Sequence, residues 1–185
     1  MKLLEAGLLV VERSGRHRYY RLAGEPVARA LEALAVIAPP RPIRSLRESE
    51  ARKALCLARI CYDHLAGRVG VALAEALVRR GILVPAEHGY DVTGAGARWL
   101  LAFGTDVEVL RRQRRKFAAP CLDWSERRHH LAGALGAALL QRFLALGWMQ
   151  RLEGSRAVRI TDQGWQGLRQ EFGLEMGGPG GVVSH

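Results

Sequence analysis

The sequence predicts an α+β chain dominated by helix, and three observations predict it. Residues 8–22 place apolar, aromatic and basic side chains on either side of a serine-glycine pair, the signature of an antiparallel hairpin. Two later stretches share one order of helix, glycine, strand, turn, strand and helix. Hydrophobic residues fill 49% of the 185 positions, enough for one large domain or two small ones with real cores. They come in short runs, never the roughly 18 consecutive apolar residues of a membrane span.

Taken in order, Met1 to Gly7 reads as the tail of a helix stopped by glycine. Leu8, Leu9, Val10 and Val11 form one strand and Arg18, Tyr19, Tyr20, Arg21 and Leu22 the next, with Ser14 and Gly15 supplying the turn. Arg13, Arg16, His17, Arg18 and Arg21 crowd this ribbon against a single acid, Glu12. Cations on a protruding ribbon suit phosphates and carry little base information; the plainer reading is that they keep an exposed hairpin soluble. Glu25 to Ala38 follows as a helix, apolar at Val27, Leu31, Leu34 and Ile37, and the prolines at 39, 40 and 42 end it.

Helix end, hairpin, helix is how a winged-helix domain finishes. Residues 1–38 therefore read as the C-terminal part of such a domain, with wing and following helix. The helix that would precede the wing and enter the major groove falls ahead of Met1. A start set too late accounts for this better than a fragment or a true loss, because a wing strand without its helix would expose core surface.

The rest of the chain repeats itself. HLAGRVGVAL beginning at His64 returns as HLAGALGAAL at His130, an offset of 66 residues, and Gly81 matches Gly147 at the same offset. Thr93 and Gly96 then pair with Thr161 and Gly164 at an offset of 68, the two threonines placed to cap helices. The expected architecture is a truncated winged helix followed by two repeated winged-helix-like units. Its parts are residues 1–38, a Pro-rich linker at 39–44, a first repeat at 45–104, a basic bridging segment at 105–120, a second repeat at 121–172, and a glycine-rich tail at 173–185 expected to be disordered. Ser45 and Glu48 have capping-box form and predict a helix running towards Tyr62; residues 106–117, with five basic side chains, predict another.

The helix end, the AGLL, the ERSGRHRYY hairpin and the mainly apolar helix after it resemble the C-terminal half of the ArsR/SmtB family of winged helix-turn-helix repressors. The later CYDHLAG and CLDWSERRHHLAGALG look like the C-terminal extension of a longer subgroup. The resemblance implies that Arg13, Arg16, His17, Arg18 and Arg21 face operator DNA and that Val27, Leu31, Leu34 and Ile37 lie on a dimerisation helix. The family's metal sites do not carry over: one precedes Met1, and residues 25–38 hold no His, Cys or Asp for the other.

A different cluster does. Cys61, Asp63 and His64 form C-x-D-H, and Cys121, Asp123, His129 and His130 form a related cluster before the second copy of the repeated helix. Thiolate and imidazole suit zinc or copper, and two duplicated half-sites, Cys61 with His64 and Cys121 with His130, would converge on one pocket. The Cys-x-x-His spacing, i and i+3, sets Cys61 and His64 on one helical face. Three readings stay open: a metal site, a redox pair of Cys61 and Cys121, and, most ordinary for such residues, core packing. Cys56 has no partner motif and reads as packing. Trp99, Trp124, Trp148 and Trp165, with Tyr62 and Tyr90, are candidate walls of an organic-effector pocket or plain core.

Charge narrows the partners. Lys and Arg outnumber Asp and Glu by 28 to 18, a net charge of +10, and residues 1–60 carry 12 basic against 6 acidic side chains. That favours nucleic acid over a membrane surface. No phosphate loop, nucleophile elbow or zinc-protease motif is present, so no enzyme is expected. Three cysteines without a secretion signal point to reduced thiols and a cytoplasmic protein. The sequence thus predicts a homodimeric, DNA-binding repressor whose C-terminal region senses a small-molecule or metal effector or serves assembly. The alternatives are a module that dimerises without binding DNA, and a metal or thiol sensor acting through protein contacts.

Overall fold

β-branched and aromatic runs on either side of Ser14 and Gly15 pair as their composition requires. In the computed structural model, which describes residues 2–39 and 42–176, β1 (Leu9–Ser14) runs antiparallel to β2 (His17–Leu22), with Leu9 opposite Leu22 and Ser14 opposite His17. Gly15 takes the first position of the two-residue turn at φ 58, as a hairpin of this length favours. The chain divides into two compact units, 1–40 and 41–185.

In the first unit, α1 (Lys2–Glu5) leads into the hairpin through Gly7, whose N–H donates to Leu4 O while Leu8 N–H donates to Leu3 O. Arg13, Arg16, His17, Arg18 and Arg21 are all exposed, and Arg13 sits across the ladder from Arg18. α2 (Glu25–Ile37) begins with Pro26 in its first turn and ends where Ala38, ahead of Pro39, turns extended. It buries Ala28 and Glu32, half-buries Val27, and leaves Leu31, Leu34 and Ile37 exposed at 49%, 57% and 78%.

The second unit mixes helices with two-stranded antiparallel hairpins. Ser45 caps α3 (Leu46–Leu57) by accepting from Glu48 N–H, and the Glu48 carboxylate reaches back past the cap residue to accept from Arg44 N–H. There follow β3 (Arg59–Cys61), β4 (His64–Ala66), α4 (Arg68–Arg79), β5 (Leu83–Ala86), β6 (Gly89–Val92), α5 (Gly94–Ala102) and α6 (Val107–Arg111). After these come β7 (Ala119–Leu122), β8 (His129–Ala132), α7 (Gly133–Ala145), β9 (Met149–Arg151), β10 (Val158–Ile160) and α8 (Asp162–Phe172). The overall class is α+β, and the order helix, glycine, hairpin, helix holds after Gly81 and Gly147 as it does after Gly7.

The repeated letters have repeated jobs. Thr93 Oγ1 accepts from Gly96 N–H at 2.9 Å and donates to Gly81 O at 2.7 Å, so one hydroxyl ties the helix start to the previous helix stop. Thr161 makes the same two bonds, from Gly164 N–H and to Gly147 O. Apolar residues at helical spacing, such as Val69, Leu73 and Leu77 on α4 and Leu135, Leu139 and Phe143 on α7, meet in a core that also takes Leu100, Leu168 and Phe172. The tryptophans largely serve packing: Trp99 stacks on Phe103 and Trp148 on Phe143, and Phe172 stands edge-on to Trp99, Phe103 and Phe143.

Three sequence expectations need correction. The helix from Ser45 stops at Leu57 instead of running towards Tyr62, because Ala58 turns extended and a remote segment captures the next residues: Ile60 N–H donates to Arg156 O and Val158 N–H to Ala58 O. The helix expected over 106–117 lasts only through Arg111. Beyond it Arg112, Arg114, Arg115 and Lys116 would stack like charges on neighbouring turns, and Arg115 is drawn instead to Asp63. Leu174, expected to fall in a disordered tail beginning at Gly173, is buried and its N–H bonds Leu168 O; residues 177–185, like Pro40 and Arg41 of the expected linker, lie outside the described residues.

Candidate metal centre

Two short hairpins build the site. β3 pairs with β4 so that Cys61 lies directly opposite His64, and β7 pairs with β8 so that Cys121 lies opposite His130. Cross-strand partners share a face, so each hairpin presents one thiol and one imidazole side by side. The helical face that the i, i+3 spacing suggested is replaced by a hairpin face: Tyr62, at φ 60, and Asp63 form the two-residue connection that brings Cys61 and His64 level. In the second hairpin the connection is residues 123–128. Alternation along β8 turns His130 inward, while His129 is exposed.

The glycines of the repeat let the halves close. Gly67 and Gly133, at φ 82 and 84, turn each hairpin into its helix, and a Cβ at either would strike carbonyl oxygens of the preceding segment. α4 lies against β8 and α7 against β4, each helix crossing to the other hairpin. A Cβ at Gly70 would lie 2.5 Å from Leu65 O, and one at Gly136 would lie 2.3 Å from Leu131 O and 3.3 Å from His64 Cβ. Glycine is therefore what lets helix and hairpin approach so closely behind the two histidines.

The result is four buried donors, Cys61, His64, Cys121 and His130, whose ligating atoms all lie within 4.8 Å of one another. Cys61 Sγ is 4.0 Å from Cys121 Sγ, and His64 Nε2 is 3.2 Å from His130 Nε2. The rings stack at 5.1 Å between centroids.

Carboxylates stand behind the rings. Asp63 Oδ1 is 3.1 Å from His64 Nδ1, and Asp123 Oδ2 is 3.4 Å from His130 Nδ1. Each carboxylate holds an arginine from elsewhere: Arg115 grips Asp63 with both terminal nitrogens, and Arg59 Nη2 donates to Asp123 at 3.0 Å. Asp123 also accepts from Gly67 N–H, Ser125 N–H, Ser125 Oγ and Glu126 N–H. Arg59, fully buried, lies 4.5 Å over the Trp124 ring and reaches Ser125 Oγ and Leu55 O.

These contacts set the protonation states. Burial alone would raise the Asp123 carboxyl, but the Ser125 bonds, the Arg59 charge and the Gly67 and Glu126 amides hold it down at about 2. Asp63 is lowered too, its burial outweighed by His64 and Arg115. Burial works to lower His64, yet the bonds to Asp63 and Cys121 raise it. The Cys121 thiol is driven well down by the contact with Cys61, then by His130 and His64, against opposing burial. Both shifts favour a Cys121 thiolate beside a positive His64, and thiol and imidazole are the donor types of a soft or borderline cation.

Sequence reading named all four donors. It did not single out Arg59 and Arg115, which lie 64 and 52 residues from the aspartates they hold, and it left Asp63 and Asp123 without a role although the shared C-x-D pointed to both. Cys56, half-buried on α3, stays outside the cluster.

Comparison with known proteins gives the class: the chain belongs to the HTH-type transcriptional regulators, and it is not an enzyme. The relative that shows this is the uncharacterized HTH-type transcriptional regulator YdfF of Bacillus subtilis (strain 168), 52% identical over 163 residues, which cover 88% of this chain and 72% of that protein. No family model matches the chain, and no solved structure does. Among the described residues no helix is long and apolar enough to cross a membrane.

Proposed function

We propose that the chain is a DNA-binding transcriptional repressor of the ArsR type, a homodimer whose two wings contact operator DNA and whose second unit, with its winged-helix-like repeats, senses an effector. One observation carries the reading: in a chain belonging to the HTH-type regulators, Arg13, Arg16, His17, Arg18 and Arg21 are all exposed on one hairpin, where a wing would meet phosphates. α2 supports the dimer, because Leu31, Leu34 and Ile37 form an apolar stripe open to a second copy.

The test is binding of the full chain to double-stranded DNA from its own promoter, followed against salt. Arg16→Ala with Arg18→Ala weakens binding at every sequence and flattens the slope of log affinity against log salt by about 1.8, at about 0.9 per lost phosphate contact. An unchanged slope removes the wing from the interface. A chain that dimerises yet binds no DNA at low salt would favour the interaction-module reading, to which the α2 stripe lends equal support.

A further inference from the structure

We propose that Cys61, His64, Cys121 and His130 form a closed, tetrahedral zinc site in which each duplicated hairpin supplies one thiolate and one imidazole. The inference is independent of the DNA reading, since it concerns the second unit alone and is read by metal content.

Geometry comes first. Tetrahedral zinc holds sulfur at about 2.3 Å and nitrogen at about 2.05 Å, which puts two sulfurs about 3.8 Å apart and two nitrogens about 3.3 Å apart. The observed separations are 4.0 Å between the sulfurs and 3.2 Å between the Nε2 atoms, and the widest spacing in the set is 4.8 Å. Sulfur and nitrogen on one tetrahedral zinc stand about 3.6 Å apart, so the widest pair of donors must close by about 1 Å on binding.

His64 Nδ1 lies 3.1 Å from Asp63 and His130 Nδ1 3.4 Å from Asp123, an arrangement that suits two imidazoles ligating through Nε2 with their Nδ1 protons turned to the carboxylates. The two Nε2 atoms face one another at 3.2 Å, a separation that suits one shared proton and equally suits one cation bound by both nitrogens. Carboxylate behind imidazole is also how proteins fix the tautomer and orientation of a metal-ligating histidine.

Charge selects the cation. Asp63 is matched by Arg115 and Asp123 by Arg59, so the outer shell is neutral. Two thiolates and two neutral imidazoles carry two negative charges inside it, which a divalent ion cancels and a cuprous ion does not. With four protein donors, each no more than 8% exposed, no position is left for water or substrate, the arrangement of a structural or regulatory zinc. The ion would join hairpins that lie 60 residues apart at the cysteines, so its binding is coupled to how the two halves of the unit meet.

The full chain, expressed without added metal and purified without chelator, is expected to carry about one zinc per chain by elemental analysis. Cobalt(II) added to chelator-treated protein should give the intense visible bands of a tetrahedral site together with thiolate-to-cobalt charge transfer, and zinc should bleach them. Cys61→Ser, Cys121→Ser and His130→Gln should each lose at least tenfold in zinc affinity, whereas Cys56→Ser should not. With metal bound, Cys56 alone should react with a thiol reagent; after chelation Cys61 and Cys121 should follow. The cobalt spectrum of the unmutated chain keeps the test decisive should a variant fail to fold. Absence of zinc together with a weak, octahedral cobalt spectrum overturns the proposal. So does stoichiometric copper in place of zinc, or a Cys61–Cys121 disulfide in freshly purified protein.

Discussion

Replacing Asp123 with asparagine should cost the second unit far more than a change of one atom suggests. The carboxylate is fully buried and accepts five hydrogen bonds, from Arg59, Gly67, twice from Ser125, and from Glu126. Asparagine keeps the shape but not the charge, and its NH2 must face either Arg59 and Gly67 or Ser125 and Glu126, donor against donor. Stripping one partner from a buried ion pair costs about 3–5 kcal/mol. With a urea dependence of about 2 kcal/mol per molar, the unfolding midpoint should fall by about 2 M. The assay is urea unfolding followed by circular dichroism on both proteins in excess chelator, so that metal linkage does not enter. A midpoint shift below about 0.5 M at unchanged slope would refute the reasoning, because it would mean that Arg59 finds other compensation or that water reaches the pair.

Two further outcomes follow from packing. Gly136→Ala gains up to about 1 kcal/mol in helix propensity but drives a Cβ to 2.3 Å from Leu131 O and 3.3 Å from His64 Cβ, so a net loss of at least about 1 kcal/mol and a melting point lower by about 3 °C or more are expected; an unchanged melting point would show that the hairpin yields. Leu34→Asp places a charge in the exposed stripe of α2 and should raise the dimer dissociation constant at least tenfold by sedimentation, with helix content unchanged. A dimer as tight as before would locate the interface elsewhere.

The parts of the fold that local chemistry decides were legible. Residues 8–22 carry β-branched, aromatic and turn residues in the order of a hairpin, and Thr93, Thr161 and Ser45 stand where caps belong. The four donors were legible because the duplication printed them twice. Their setting was not. β3 and β4 are three residues each, too short to show alternation, and Cys61 with His64 fits a helix face as well as a hairpin. What decides is distant: the amide of Ile60 bonds Arg156 O, almost a hundred residues on, and Tyr62 adopts a left-handed turn conformation that its side chain does not advertise. Arg59 and Arg115 were invisible for the same reason, since an arginine in sequence is only a charge until the fold delivers an aspartate to it.

The unequal connections of the two hairpins bear on how such a site can arise. One hairpin carries half of the donors, so a chain with a single copy could complete the set only by meeting another chain, and the fraction complete would follow protein concentration. Tandem copies in one polypeptide turn that encounter into an internal one, with an effective concentration fixed by the tether. Once the halves are tied together they are released from the sameness that a symmetric pair imposes. The chain has used that freedom: one connection is Tyr62 and Asp63, the other runs from Asp123 to Arg128 and brings Trp124 and Ser125 against Arg59. The unequal outer shell is thus a freedom that comes with carrying both half-sites on one polypeptide.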